Sequence, residues 1–201
     1  DCNWKVFWEN FNECLHCPRV HKDLSKLVPI YSRALLDPHD DLDWEENIKS
    51  PDPKLSGGLR KGAHTWTTDG QPIGQVFPNL TEQEIKQGHN YAVIHPTVFF
   101  VGHVDYVRVV RLMPLGPEKT EMQVEWLFTQ ETLDDKNIDI MPAVDFVKTV
   151  LLEDAHVSEL YQKGMRSIRH KKGTLMAEEY DVYAFHNWVR QQLEINRICV
   201  D

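Results

Sequence analysis

The spacing of hydrophobic residues changes along the chain from a helical period to a strand pattern and back to a helical period. A helical period runs over residues 4–27, whereas residues 29–59 carry four prolines and predict an irregular excursion. From residue 62 to residue 128, runs of β-branched and aromatic residues are typical of strands. The predicted strands are 64–68, ending at the turn signal Asp69-Gly70, then 91–101 and 104–113, with Gly102 in the turn between them, and 122–128. Short connections favour antiparallel pairing.

A long helix is predicted after Asp139, where the helical period returns. Pro142 suits its first turn, and an apolar stripe marks the face that we expect to be buried. The stripe consists of Val147, Leu151, Val157, Tyr161 and Met165, with position 154 completing the steps of three and four residues. A short amphipathic helix is expected at 183–193. The order helix, antiparallel sheet, long helix predicts an α+β fold with the sheet packed on the C-terminal helix.

Composition narrows the class of protein. The 201 residues are 41% hydrophobic and 26% charged, which is ordinary for a globular protein with one core or at most two small domains. The chain has no apolar run of about 18 residues, so no membrane span is expected, and residues 1–5 do not resemble a signal peptide. The formal net charge of −9 disfavours nucleic acid as a partner. We expect a cytoplasmic protein.

The four cysteines are too few for a disulfide scaffold in a chain of this length, so reduced thiols are expected. Cys14 and Cys17 form a CxxC motif, which in other proteins is half of a zinc site or a redox pair. No second CxxC or HxxxH follows to complete four zinc ligands. A structural zinc site at Cys14, Cys17 and a histidine is retained as an alternative.

The densest group of metal-binding residue types lies between residues 9 and 21. Glu13 and His16 are three apart and share a helix face, whereas His16 and His21 are five apart, roughly 140° around an ideal helix. Pro18 distorts a helix between the two histidines, and a bend there would bring both imidazoles to one point. Imidazole suits zinc, copper and iron alike. The same spacing also fits two ordinary polar histidines near a helix end, so both interpretations stay open.

Asp154 falls on the apolar stripe of the long helix. An ionised carboxylate in a core is costly unless it is paired or binds a metal. A salt bridge to an arginine or lysine and a metal site are both consistent with that position. Glu153 is expected to point further toward solvent. Two histidines and one inward carboxylate form the ligand set of non-heme Fe(II) oxygenases, which leaves coordination positions open.

Two stretches of the chain resemble a known family. Asn3-Trp4-Lys5, Glu9-Asn10-Phe11, Glu13-Cys14, His16-Cys17-Pro18 and His21 resemble the signature that opens the catalytic domain of Rieske ring-hydroxylating oxygenase α subunits. Glu153-Asp154, Gln162-Lys163-Gly164 and Ser167 resemble the segment that supplies the family's carboxylate ligand, and Phe185-His186-Asn187-Trp188 is similar to its C-terminal helix. Leu15 stands where the family often has tyrosine, which leaves the ligands unaffected.

The resemblance implies a role for each motif residue. His16, His21 and Asp154 would hold a mononuclear Fe(II), and Glu13 would be the bridging carboxylate that passes electrons from a Rieske cluster on a neighbouring subunit. Asn10 matches the asparagine of the motif and would lie near the iron. The implied fold is a helix-grip, in which the antiparallel sheet wraps around the long C-terminal helix.

The resemblance covers only the catalytic part of such a protein. A Rieske domain needs a Cys-x-His and a Cys-x-x-His pair, and these 201 residues contain neither. We therefore expect residues 1–201 to be the catalytic mononuclear-iron domain, with the [2Fe–2S] cluster in a missing domain or a partner. A reductase or ferredoxin partner and a homotrimer of the full-length protein are implied by the same resemblance.

The implied reaction is O2-dependent hydroxylation or oxidative demethylation of a small molecule. The substrate would be aromatic, as in aromatic compound catabolism, or a quaternary ammonium compound, because glutamate at position 13 resembles the branch acting on choline, carnitine and glycine betaine. An aromatic cage would suit such a cation. Its candidates are Trp66, Tyr91, Phe99, Phe100, Tyr106, Trp126 and Phe128, most of which also fit a plain core. A non-catalytic ligand-binding helix-grip domain is the alternative, and it would not need the three metal ligands to converge.

Overall fold

The structure, a computed structural model, describes residues 1–32, 49–176 and 179–198. Residues 33–48 of the predicted excursion lie outside the described residues. The helices are α1 (Trp4–Phe11), α2 (Cys17–Val20), α3 (Lys22–Leu27), α4 (Pro53–Ser56), α5 (Glu82–Gln87), α6 (Gln130–Asp134), α7 (Met141–Met165) and α8 (Tyr180–Ile198), with a 3₁₀ turn at Pro29–Ser32. None of the described helices is long and apolar enough to cross a bilayer.

The strands form one antiparallel sheet. They are β1 (His89–Ile94), β2 (Val98–His103), β3 (Tyr106–Gly116) and β4 (Lys119–Phe128), in the spatial order β1-β2-β3-β4. Each strand therefore pairs with its neighbour in sequence through a short connection, as the sequence predicts. The α+β prediction is confirmed, whereas the wrapping of the sheet around α7 as a helix-grip stays a prediction.

The core joins the sheet to the long helix and to both chain ends. Val110 of β3 and Val147 of α7 are fully buried and belong to one hydrophobic cluster. Helix α1 contacts both α7 and β3. Its Trp8 is fully buried and stacks on Phe185 of α8, with ring centroids 3.8 Å apart. Burial of these large side chains fixes α1, and with it the start of the metal-binding motif, against the body of the protein.

Several predicted elements have different bounds in the structure. Residues 64–68 form no strand, because His64 and Thr65 both donate their N–H groups to the carbonyl of Gly70 in a compact loop. The predicted strand 91–101 is a hairpin broken at Pro96, which lacks the N–H that a ladder needs. Gly102 lies inside β2, and the turn comes at residues 104–105.

The predicted stripe of α7 is correct only in its first half. Val147 and Leu151 are buried, but Tyr161 and Met165 are exposed, and Ser158 and Gln162 are buried in their place. The cause is a polar contact at the C-terminal end of the helix. Gln162 accepts the backbone N–H of Asn3 through its Oε1 at 2.8 Å and donates to Glu118 in the β3–β4 turn at 3.3 Å, so this face packs against the start of the chain and that turn.

Candidate metal centre

Both histidines of the motif lie at helix ends. The helix predicted over 4–27 is three helices in the structure, interrupted at residues 12–16 and again at residue 21. His16 precedes α2, and His21 lies between α2 and α3, where its φ and ψ of −103° and 72° leave the helical region. This break places two imidazoles, five residues apart, on one point, which an uninterrupted helix would not do.

Asp154 meets both imidazoles from the opposite side. His16 Nε2 and His21 Nε2 lie 3.0 Å apart, and Asp154 Oδ1 lies 3.2 Å from the first and 2.9 Å from the second. Asp154 is 3% exposed and His21 is 2% exposed, so these two side chains are almost fully buried. The structure thus brings together the three side chains for which the sequence suggested a common site.

The outer nitrogens of both rings are tied to carboxylates. His16 Nδ1 lies 2.6 Å from Glu13 Oε1, and His21 Nδ1 lies 2.8 Å from Glu153 Oε2. Glu13 also accepts the backbone N–H of Leu15 through its other oxygen, which holds its carboxylate in place. Carboxylates behind ligand imidazoles fix both ring orientation and tautomer. Glu153 is indeed more exposed than Asp154, as expected, but its pairing with His21 was not predicted.

The arrangement of His16, His21 and Asp154 favours a positive charge at its centre. If each Nδ1 donates its proton to its carboxylate, both Nε2 atoms present lone pairs to each other and to Asp154. Burial alone would lower the pKa of His16, but the hydrogen bonds to Asp154 and Glu13 outweigh it and raise that pKa to about 9. Burial likewise raises the pKa of Asp154, yet the two histidines outweigh it and lower that pKa. Either a proton or a metal ion would supply the positive charge that the three side chains favour.

The spacing suits a metal ion. Ligand atoms about 2.1 Å from one ion and at right angles to each other lie about 3.0 Å apart. The distances from His16 Nε2 to His21 Nε2 and to Asp154 Oδ1, at 3.0 and 3.2 Å, agree with that value. Asn10 Nδ2 donates to Asp154 Oδ1 at 2.7 Å, so the asparagine of the motif orients the carboxylate. The donor set therefore fits a divalent cation such as Fe(II).

The CxxC pair differs from the expectation of reduced thiols. Cys14 and Cys17 form a disulfide, because the loop before α2 brings their Cα atoms to 4.9 Å, within the range that a disulfide spans. Cys17 Sγ lies 3.9 Å from His16 Nε2 and lies close to both histidines. In this form neither sulfur is a thiolate, so the structure does not support the alternative of a zinc site at the two cysteines. Cys2 is a free, buried thiol.

A cavity of about 570 Å³ opens onto the three side chains. Of the aromatic candidates, only Trp66 and Tyr91 line it. Phe99 and Tyr106 are instead fully buried in the core. Phe11 and Tyr31, which also line the cavity, were not among the candidates.

Arg108 is a charged residue of this cavity that was not predicted from the sequence. It stands in β3 between two valines and is 2% exposed. The signal was present, because a charge inside an apolar strand raises the same question as Asp154 inside an apolar stripe.

Comparison with known proteins gives a consistent set of relatives. A profile of the family described as the ring hydroxylating alpha subunit (catalytic domain) matches residues 1–195. The chain is 24% identical over 198 residues to the chloroplastic choline monooxygenase of Arabidopsis thaliana, covering 97% of this chain and 40% of that protein. It is 23% identical over 208 residues to the glycine betaine monooxygenase oxygenase subunit of Chromohalobacter salexigens, covering 92% and 46%. The chain thus spans less than half the length of these relatives.

A solved structure described as a quaternary ammonium Rieske monooxygenase is similar in fold. It aligns with a TM-score of 0.51 at 15% identity, over 94% of this chain and 47% of that one. This likeness supports the α+β fold. The names of these relatives give choline, glycine betaine and carnitine, so the expectation of aromatic compound catabolism gains no support.

Proposed function

The chain belongs to the ring-hydroxylating alpha-subunit family and matches its catalytic domain. From that membership we propose that the chain catalyses an O2-dependent hydroxylation or oxidative demethylation. The observation that carries the proposal is the convergence of His16, His21 and Asp154, with the three donor atoms 2.9 to 3.2 Å apart. These residues would hold one Fe(II), which supplies O2 activation when bound. A domain that only binds ligands has no need of this convergence.

The chain's own residues have distinct parts in this proposal. Asp154 supplies the anionic ligand, and Asn10 holds its carboxylate in place through the 2.7 Å hydrogen bond. Glu13 and Glu153 keep the imidazole rings turned so that both Nε2 atoms face the centre. The apolar walls of the cavity limit water around the reacting carbon.

Glu13 has a second part in the proposal, as the route for electrons. It matches the family's bridging carboxylate, and it contacts a ligand histidine directly through His16 Nδ1. We propose that the [2Fe–2S] Rieske cluster belongs to another domain or subunit and is reduced by a reductase or ferredoxin. A homotrimer of the full-length protein would place that cluster on a neighbouring subunit beside Glu13. The proposed substrates are quaternary ammonium compounds, as in the names of the relatives.

The test separates iron chemistry from electron supply. The chain is loaded anaerobically with Fe(II), and hydrogen peroxide then replaces O2, two electrons and two protons, so that no Rieske cluster is needed. One peroxide oxygen enters the substrate C–H bond and the other leaves as water. We expect one iron per chain, with formaldehyde as the product where glycine betaine is the substrate and an aldehyde where choline is the substrate. Asp154→Ala should abolish both iron binding and product. Asp145→Ala removes an exposed acidic residue of the same helix and should change neither. Full iron binding by Asp154→Ala would refute the proposed ligand set.

A further inference from the structure

Arg108 is a buried cation, and none of the described residues accepts a hydrogen bond from its Nε or Nη1. It lies on β3, is 2% exposed, and lines the same cavity as the proposed ligands. Its Nε and Nη1 atoms are buried and make no hydrogen bond. No ion pair to Arg108 occurs within residues 1–32, 49–176 and 179–198. Buried arginines are ordinarily paired with a carboxylate or another acceptor, so this one calls for an explanation.

Two aromatic rings compensate for only part of this charge. The guanidinium carbon lies 5.9 Å from the ring centroid of Phe11 and 5.6 Å from that of Trp66. A cation over an aromatic face gains attraction but gains no acceptor for its N–H groups. Burial correspondingly lowers the pKa of Arg108, although an arginine stays protonated at any physiological pH. The guanidinium therefore keeps a positive charge and at least two unsatisfied donors beside the cavity.

A metal ion at the neighbouring site would increase the positive charge of the cavity. The charge of Asp154 favours the protonated form of Arg108, yet the two side chains form no ion pair. Under the proposed function, the negative charge of Asp154 is neutralised by the bound Fe(II). The cavity then carries a net positive charge on the Arg108 side, which attracts an anion.

We propose that Arg108 binds the carboxylate of the substrate, so that the protein acts on a carboxylate-bearing compound such as a betaine and not on an amino alcohol such as choline. That the bound carboxylate belongs to the substrate rests on the proposed function. The contact between Arg108 and an anion does not depend on it. The planar guanidinium presents a fork of donors that matches a carboxylate in a bidentate manner. A carboxylate bound beside Arg108 in the cavity would neutralise the charge of the guanidinium.

The aromatic rings near Arg108 argue against a quaternary ammonium group in the same place. The faces of Phe11 and Trp66 are already turned to the guanidinium, and a second cation beside it would be repelled. Asp181 of α8 lines the same cavity as Arg108 and supplies a carboxylate there. A zwitterion fits this polarity with its carboxylate at Arg108 and its ammonium group toward Asp181.

Four ligands of one shape separate the two charges. Glycine betaine carries an ammonium and a carboxylate, and 3,3-dimethylbutanoate carries only the carboxylate. Choline carries only the ammonium, and 3,3-dimethylbutan-1-ol carries neither charge. We expect calorimetry on the metal-free chain to show that each carboxylate binds roughly 10- to 100-fold more tightly than its alcohol counterpart. Equal binding of the carboxylates and the alcohols would overturn the proposal, as would a preference that follows the ammonium group alone.

Arg108→Met tests the residue itself, because methionine keeps the length and removes the charge. We expect it to reduce the carboxylate preference to less than about threefold and to leave the alcohols unchanged. Arg111→Met is the matched control, since Arg111 is an exposed arginine on the same strand, and it should retain the preference. A retained preference in Arg108→Met would overturn the assignment.

Thermal unfolding without ligand gives a second measurement that a structural role would move differently. An unpaired buried charge is unfavourable for the fold, so Arg108→Met should melt at the same or a higher temperature than the parent chain. A Tm lowered by more than about 5 °C, with no ligand effect, would make Arg108 a structural residue. Because binding is measured without iron or turnover, a failure of the proposed oxygenase reaction leaves these results interpretable.

Discussion

The carboxylates behind the two ligand histidines provide a graded test of the metal centre. Replacing Glu13 or Glu153 by glutamine keeps an oxygen that can accept the imidazole N–H but removes the negative charge. Loss of such a partner reduces metal affinity about 10- to 100-fold, which corresponds to about 1.4 to 2.7 kcal/mol. The structure allows the two substitutions to be ranked within that range.

The ranking follows from distance and exposure. The Glu13–His16 contact is 2.6 Å long, and its side chains are 14% and 13% exposed, so water screens the charge only weakly. The Glu153–His21 contact is 2.8 Å long, and Glu153 is 37% exposed, so solvent replaces part of what the substitution removes. We expect Glu13→Gln to weaken Fe(II) binding by roughly 30- to 100-fold and Glu153→Gln by roughly 10-fold or less.

The assay is an anaerobic competition for Fe(II) against a chelator of known affinity. Asp145→Asn, on the exposed face of α7, is the control and should bind iron like the parent chain. Circular dichroism confirms that each variant is folded before its affinity is compared. Equal affinities in the parent chain and Glu13→Gln would refute the orienting role of the carboxylate, and a larger loss in Glu153→Gln would refute the reasoning from exposure.

Three further predictions concern stability. Asp105→Ala should lower the free energy of unfolding by about 2 to 4 kcal/mol in urea, because the buried carboxylate accepts Thr65 Oγ1–H at 2.6 Å and the Ile73 N–H at 2.8 Å; a loss below about 1 kcal/mol would contradict this. Gly88 and Gly57 share φ = 77°, but an added Cβ lies 2.5 Å from Leu59 at the first and 3.8 Å from its nearest neighbour at the second, so Gly88→Ala should lower Tm clearly more than Gly57→Ala. Fe(II) at 100 times its Kd should stabilise the chain by about 2.7 kcal/mol, a gain that chelation removes and that Asp154→Ala lacks.

The sequence alone allowed the long elements to be predicted. The antiparallel order of the sheet and helix α7 follow from period, Pro142 and short connections, and the structure has both. The buried stripe predicted for α7 is wrong in its second half because a tertiary contact overrode the local pattern. Gln162 is buried by its hydrogen bond to the backbone of Asn3, and no pattern within α7 indicates a partner 159 residues away.

The proposed ligands could be named from the sequence, but their supports could not. His16, His21 and Asp154 stand out by residue type, position and family motif. Glu153 looks like an ordinary solvent-facing acid, and its pairing depends on where the ring of His21 turns after the break between α2 and α3. Ring orientation is set by packing across 132 residues of separation, which spacing in the chain does not encode.

Asp154 and Arg108 illustrate how one rule separates two kinds of functional residue. Each is an ionisable side chain inside an apolar run, and each is at least 97% buried. Asp154 finds Asn10 and both histidines within 3.2 Å, so the chain itself supplies its partners and the group can preassemble for a cation. Within the part of the chain that the structure describes, Arg108 contacts only ring faces, so a ligand carboxylate would supply the missing countercharge. The burial of an unpaired charge destabilises the empty protein, and binding of a carboxylate would recover that free energy. We therefore expect carboxylate affinity and ligand-free stability to change in opposite directions when Arg108 is replaced, which a purely structural arginine would not do.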